Sequence, residues 1–271
     1  MVRIGIVGYG HLGQFLMESI NKHTDLELAW VWNRSDISEK IEESLILRDL
    51  NECARGEPDV IVEVAHPDIT KQFGKLFLQT ADFMIGSPTG LADGILEQEL
   101  KTAATKHGLY IPTGAFWGGD DIRKMAELGT LEGLIITMKK HPSSFKLNGF
   151  LAEKNSAVKD ESVELYRGPV RELCPLAPNN VNTMAAGAVA ATNLGFDKTI
   201  GCLVSDPSLK DWHIIEVEVQ GPRGPAGGQF TVRTERKNPA SPGAVTGSAT
   251  YASFLSSLLR VGGRGGGFHL C

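Results

Sequence analysis

Two hydrophobic periods alternate along the first part of the chain. Val2 to Val7 is a short apolar run with β-branched residues, and Leu12, Phe15, Leu16 and Ile20 then recur at helical spacing. This predicts a strand, a turn and a helix. Further strands are predicted at Leu26 to Trp32, Asp59 to Ala65, Phe83 to Gly86 and Leu109 to Pro112, with helical patterns at Ile69 to Thr80 and Ile95 to His107. Strands that alternate with helices imply right-handed crossovers and a mostly parallel sheet.

After about Gly118 the pattern changes. Strands predicted at Gly133 to Lys139, Thr199 to Val204, His213 to Val219 and Gln229 to Thr234 lie closer together, with fewer helices between them. This texture predicts a second α+β domain with an open mixed sheet. QGPRGPAGG joins the last two strands as a hairpin connection too long for a two-residue turn. Pro178 to Asn193 predicts a closely packed helix, with Met184, Ala188 and Ala191 at its spacing. Val245 to Leu259 predicts another, and Arg260 to Cys271, with VGGRGGG, reads as a flexible tail.

Composition narrows the partners. The chain has 271 residues, 42% of them apolar, and a net charge of −5, so no basic field gathers nucleic acid or an anionic membrane. A small-molecule partner is the expectation. Cys53, Cys174, Cys202 and Cys271 form no C-x-x-C pair, which fits neither zinc nor a disulfide framework. The opening MVRIGIVGYG lacks the pattern of a signal peptide, and no apolar run reaches membrane-spanning length, so a cytoplasmic location is expected.

The first turn carries candidate chemistry. GYGHLG places Gly8, Gly10 and Gly13 in a G-x-G-x-x-G register between a strand and a helix, the context of a Rossmann-type dinucleotide fold. Tyr9, His11 and Leu12 share that turn, whose free N–H groups suit phosphates. About twenty residues on, Asn33 and Arg34 stand where an acidic residue holds the ribose of NAD, so NADP becomes acceptable beside NAD. Ala65 and His66 in AHP, the SPTG segment from Ser87 and the TGAFWGG segment from Thr113 lie at strand ends, where cofactor walls belong.

In the second half, His213 stands where a polar loop enters a strand, and spacing alone leaves it structural or catalytic. Lys139 and Lys140 face opposite sides of a strand, and one of them can hold a carboxylate. Asn179, Asn180 and Asn182 are helix-start residues by default, yet three amides exceed the needs of one cap.

GYGHLG, TGAFWGG, PNNVNTMAA and DPSLKDWHIIEV, in this order over roughly residues 1 to 260, resemble the L-aspartate dehydrogenase family. The resemblance implies NAD- or NADP-dependent conversion of L-aspartate to iminosuccinate, then oxaloacetate and ammonia, or the reverse. It makes His213 the acid–base, Ala115 and Asn182 contacts near the nicotinamide, and Lys140 a carboxylate holder. It also implies a homodimer through the second domain. The expected organisation is a dinucleotide-binding domain at 1–117, a substrate and dimerisation domain at 118–240, a helix at 241–260 returning to the cofactor domain, and the tail at 261–271. A cofactor-binding regulatory protein without turnover, or a dehydrogenase or imine reductase for another small carboxylate, are the alternatives.

Overall fold

The computed structural model describes residues 1–245 and 249–271. The chain divides into two compact units, one of Met1–Pro112, Phe254–His269 and Cys271, the other of Thr113–Ser253 and Leu270.

In the first unit β1 (Val2–Val7), α1 (His11–Lys22), β2 (Leu26–Trp32), β3 (Val60–Glu63), α2 (Pro67–Thr80), β4 (Asp82–Ile85), α3 (Gly94–Ala103) and β5 (Gly108–Ile111) follow one another. β1 pairs in parallel with β2 and β3, β3 with β4, and β4 with β5. Every residue of β3 and β5 is buried, as in strands covered on both faces. His66 and Pro67 start α2, the imidazole Nδ1 accepting from Asp68 N at 3.3 Å, and the Asp93 carboxylate caps α3 by accepting from the N–H groups of Ile95 and Leu96. Ile4, Ile6, Leu16, Ile20, Val62 and Met84 lie at the centre of the core. β1 has β2 on one side and β3 on the other, so the strand order reverses there and opens a crevice at the carboxyl ends of β1 and β3.

A sixth strand, Gly267–Leu270, lies on the outer side of β5. The segment expected as a flexible tail is therefore ordered. Its glycines serve close approach and left-handed backbone: a Cβ on Gly266 would lie 2.2 Å from the Thr105 carbonyl oxygen, and Gly262 has φ +107°. Cys271 N donates to Ile111 O at 3.0 Å.

The second unit contains α4 (Gly119–Glu127), β6 (Gly133–Lys140), α5 (Phe150–Ser156), β7 (Val163–Pro169), α6 (Val170–Leu173), α7 (Asn182–Ala190), α8 (Gly195–Lys198), β8 (Ile200–Ser205), β9 (Trp212–Arg223) and β10 (Gln229–Pro239). The sheet runs β10-β9-β6-β8-β7, with β6 and β8 parallel and the other neighbours antiparallel. It is mixed, as the sequence pattern predicts. The pattern does not predict β7 or the short helices, because each has a thin apolar side: β7 buries only Leu165, and α4 only Gly119, Ile122 and Ala126.

α7 covers one sheet face so closely that a Cβ on Gly187 would lie 2.2 Å from Ile136 Cδ1. Leu134, Ile136, Met138 and Lys140 of β6 are buried, whereas Ile135, Thr137 and Lys139 on the alternate face are half-buried. α9 (Ala249–Leu258) falls within the predicted helix Val245 to Leu259, of which 246–248 lie outside the described residues. Its residues to Ser253 belong with the second unit, and those from Phe254 with the first. No helix among the described residues is long and apolar enough to cross a membrane.

Candidate functional site

The glycine turn of the first unit shows which glycines the fold itself demands. Gly8 has φ +113° and sits against Val64, and a Cβ on Gly13 would lie 2.1 Å from the Gly8 carbonyl oxygen; a Cβ on Gly10 would meet nothing within 4 Å. Packing demands two of the three, and the space beside Gly10 is open to a ligand. Gly10 is the N-cap of α1 and no side chain bonds the helix start, so its first N–H groups face outward for an anion. The turn thus fits a dinucleotide pyrophosphate.

Around it, Tyr9 and Leu12 are half-buried and pack against the core. Asn33 Oδ1 accepts from Tyr9 N at 3.1 Å and steadies the turn. His11, Arg34, Ala65 and His66 are exposed. Gly13→Ala should cost about 1–3 kcal/mol by overpacking, whereas Gly10→Ala should leave thermal unfolding unchanged; differential scanning calorimetry of both variants checks this contrast.

The second unit brings Lys140 and His213 to one end of the covered sheet face. Lys140 is 4% exposed and His213 5%. Both face a small cavity of about 90 Å³, also lined by Ala115, Met138, Asn179, Asn182, Ile215 and Thr250. Lys140 Nζ donates to Val245 O at 2.9 Å and lies 5.8 Å from the Phe145 ring centroid. Among the described residues no carboxylate pairs with this cation. Burial alone pulls its pKa down to about 7.

His213 is pulled down to about 4, chiefly by burial and then by the charge of Lys140, while a hydrogen bond with the Ala244 backbone opposes both. At neutral pH the ring is therefore uncharged, and its Nε2 is buried without a partner. Asn238 is paired with His213 across β9 and β10, and its Nδ2 donates to His213 O at 3.4 Å. Ala115 is held in place through its neighbour: Gly114 O accepts from Arg236 Nη1 and Ser253 Oγ, each at 3.0 Å. Such a pocket can take a proton at Nε2 and an anion at Nζ.

The amide cluster divides. Asn180 bonds to Lys146 N and Ser144 O, so it fastens a neighbouring loop, and the N-cap position of α7 belongs to Val181 without a side-chain bond. Asn182 lines the cavity, its Oδ1 buried and unpartnered. Lys139 pairs with Glu216 on the opposite sheet face. Sequence reasoning does not single out Asn238, because the strand predicted at Gln229 to Thr234 stops short of it and the real one runs to Pro239. Nor does it single out the Ala244 and Val245 carbonyls, which no side-chain pattern marks. No cluster of potential metal ligands occurs among the described residues.

A family model described as aspartate dehydrogenase, C-terminal, matches residues 121–257. The aspartate dehydrogenase domain-containing protein of Xenopus tropicalis is 53% identical over 100% of this chain and 98% of its own. The chain belongs to the aspartate dehydrogenase family. A second model, homoserine dehydrogenase, NAD binding domain, matches residues 8–112 and so covers the glycine turn. This aspartate dehydrogenase family member is thus an NAD(P)-dependent dehydrogenase by class, with NAD or NADP as its cofactor. The L-aspartate dehydrogenase of Methanococcoides burtonii is 29% identical over 96% of this chain and 97% of its own. The crystal structure of aspartate dehydrogenase from Thermotoga maritima shares the fold, with a TM-score of 0.70 at 20% identity over 97% of this chain and 98% of that one.

Proposed function

We propose that the protein oxidises L-aspartate to iminosuccinate, which hydrolyses to oxaloacetate and ammonia, or runs the reverse amination. The observation that carries this reading is the pair of buried groups in one cavity: a lysine cation held by one carbonyl and no carboxylate among the described residues, and an imidazole Nε2 without a partner. Buried polar groups are normally satisfied, so a ligand with an anion and a transferable proton is what the pocket lacks. An amino acid supplies both. The relatives named L-aspartate dehydrogenase make aspartate the first substrate to test.

The bound nicotinamide supplies the hydride acceptor for the substrate α-carbon. Lys140 holds a substrate carboxylate by charge-assisted hydrogen bonds from the two N–H groups that Val245 does not take. His213 accepts a proton at Nε2 from the substrate amine and releases it to solvent, then accepts a second from the water that attacks the imine and passes it to the departing nitrogen. Neutralising Lys140 with a carboxylate removes one of the two causes that depress the imidazole, so substrate binding makes His213 a better base. In the first unit Gly8, Gly10 and Gly13 cradle the pyrophosphate, with Tyr9, His11, Leu12, Ala65 and His66 beside them. Asn33 and Arg34 flank the adenosine ribose and accommodate a 2′-phosphate. Ala115 and Asn182 are the contacts for the nicotinamide end.

Steady-state assays of aspartate with NAD and NADP, and of oxaloacetate plus ammonia with the reduced cofactors, test the reading against a panel of other small amino acids. Turnover of aspartate at no more than background, with turnover of another member of the panel, would reassign the substrate. A homodimer through the second unit and a cytoplasmic location belong to the same proposal; sedimentation velocity and tagged-protein imaging check them.

A further inference from the structure

Glu63 takes no part in the scheme above, yet it is fully buried, at the carboxyl end of β3. Its Oε1 accepts from Ala65 N at 2.7 Å and from Ser87 Oγ at 3.2 Å, and its Oε2 accepts from Ser87 N at 3.0 Å. The His66 N–H also acts on it. Its backbone carbonyl accepts from Gly86 N at 2.8 Å. One side chain in an otherwise apolar strand therefore gathers donors from the turn after β3 and from the turn after β4.

Stability does not explain its presence. Burial drives the carboxyl up to about 7 from 4.5, against the pull of those hydrogen bonds. A group whose pKa is raised by folding favours the fold below its ordinary value and loses that contribution as pH rises through the folded one. At neutral pH and above, the ionised form thus works against folding. No cation among the described residues is paired with it. The charged groups on the elements around it are the exposed pair His66 and Asp68, Lys71 and Asp93 bonded to each other, Lys75 bonded to Glu99, and Arg3 and Asp82 at the far ends of β1 and β4. A carboxylate bonded only by the donors of two turns is suited to holding those turns in register.

We propose that Glu63 is a positioning residue of the dinucleotide site, whose ionised carboxylate fastens the turn bearing Ala65 and His66 to the turn that begins at Ser87. The proposal rests on the reading of Ala65 and His66 as cofactor contacts. Protonation turns one acceptor oxygen into a donor that faces N–H groups, and the two turns separate.

Titration calorimetry of NAD(P)+ binding to the full chain between pH 6 and 8.5, with kcat at saturating cofactor, tests it. The parent should bind about tenfold more weakly at pH 6 than at pH 8. Glu63→Gln sets an amide NH2 against a backbone N–H, and it should bind about tenfold more weakly at pH 8 with no further loss at pH 6, while kcat stays within about twofold. Ser87→Ala keeps the carboxylate and should lose only about threefold, with the pH dependence intact. His66→Asn keeps the cap of α2 and should also retain that dependence, which separates the carboxyl from the imidazole.

Parent-like affinity in Glu63→Gln at every pH, or the same pH dependence in parent and variant, overturns the role. If Glu63→Gln does not fold, parent-like affinity in Ser87→Ala overturns it instead. Gly10→Val serves as the reference: its loss of binding beside a parent-like Glu63→Gln defeats the positioning role and leaves the cofactor reading standing. Unchanged binding in both defeats that reading as well.

Discussion

Lys140→Met is expected to lower kcat/KM for aspartate by about 100-fold while making the protein harder to unfold at neutral and mildly acidic pH. Both effects come from one buried cation. The fall in the Lys140 pKa from 10.5 to about 7 corresponds to a cost of charge burial of at most about 5 kcal/mol. Methionine has similar length and no charge, but it leaves Val245 O without its donor, which returns about 1–3 kcal/mol. The balance is a net gain. Because folding depresses the lysine pKa, the cost is full below pH 7 and fades as pH rises towards 10.5. Thermal unfolding at pH 6 and pH 10 should therefore show a higher Tm for the variant at the lower pH and a shrinking difference at the higher. Equal Tm values at pH 6 would mean that the lysine is not buried as a cation. Calorimetric binding of succinate, an unreactive dicarboxylate, should weaken progressively above pH 7 in the parent as Lys140 loses its proton.

The second large effect is at His213. Substitution by alanine should reduce kcat by about 10²- to 10⁴-fold, the usual range for loss of a positioned acid–base group, with KM for the cofactor little changed. His213→Asn keeps a polar group of related shape but provides no titrating nitrogen, so it should be as inactive as alanine. Stopped-flow measurement of the reduced-cofactor absorbance under single turnover separates the chemical step from product release. Activity equal to the parent in either variant would remove the imidazole from the proton transfers. In the parent, a limb of the kcat profile on the acid side should lie above pH 4, because a bound carboxylate cancels the Lys140 charge that helps to depress the free imidazole.

Much of this arrangement is legible in the sequence where a period is long enough to count. The β1 turn and α1 are legible because an apolar strand, three spaced glycines and an amphipathic helix agree with one another. The alternation in HIIEVEV puts His213 on the same face as Ile215, Val217 and Val219, and LIITMKK puts Lys140 with Met138, Ile136 and Leu134. That period of two chooses Lys140 over Lys139 and turns His213 inward, although the two lysines are chemically alike.

Other parts depend on tertiary neighbours that no local pattern encodes. Glu63 reads only as an odd carboxylate in VIVEVA until Ser87, more than twenty residues away, supplies its second turn of donors. Asn238 reaches the pocket because β10 continues past its predicted end, through charged residues that resemble a loop. The Ala244 and Val245 carbonyls belong to the backbone, and composition says nothing about where they point.

The strand at Gly267–Leu270 changes what can safely be done to the end of this sequence. It covers the outer side of β5, a four-residue strand that includes Leu109, Tyr110 and Ile111. Deleting residues 261–271 as a dispensable appendage would bare that edge, with its row of unpaired N–H and C=O groups, to other molecules. Shortened versions of the protein should consequently be recovered as aggregates, and an affinity handle is better fused ahead of Met1 than behind Cys271, which is only 8% exposed and bonded to Ile111.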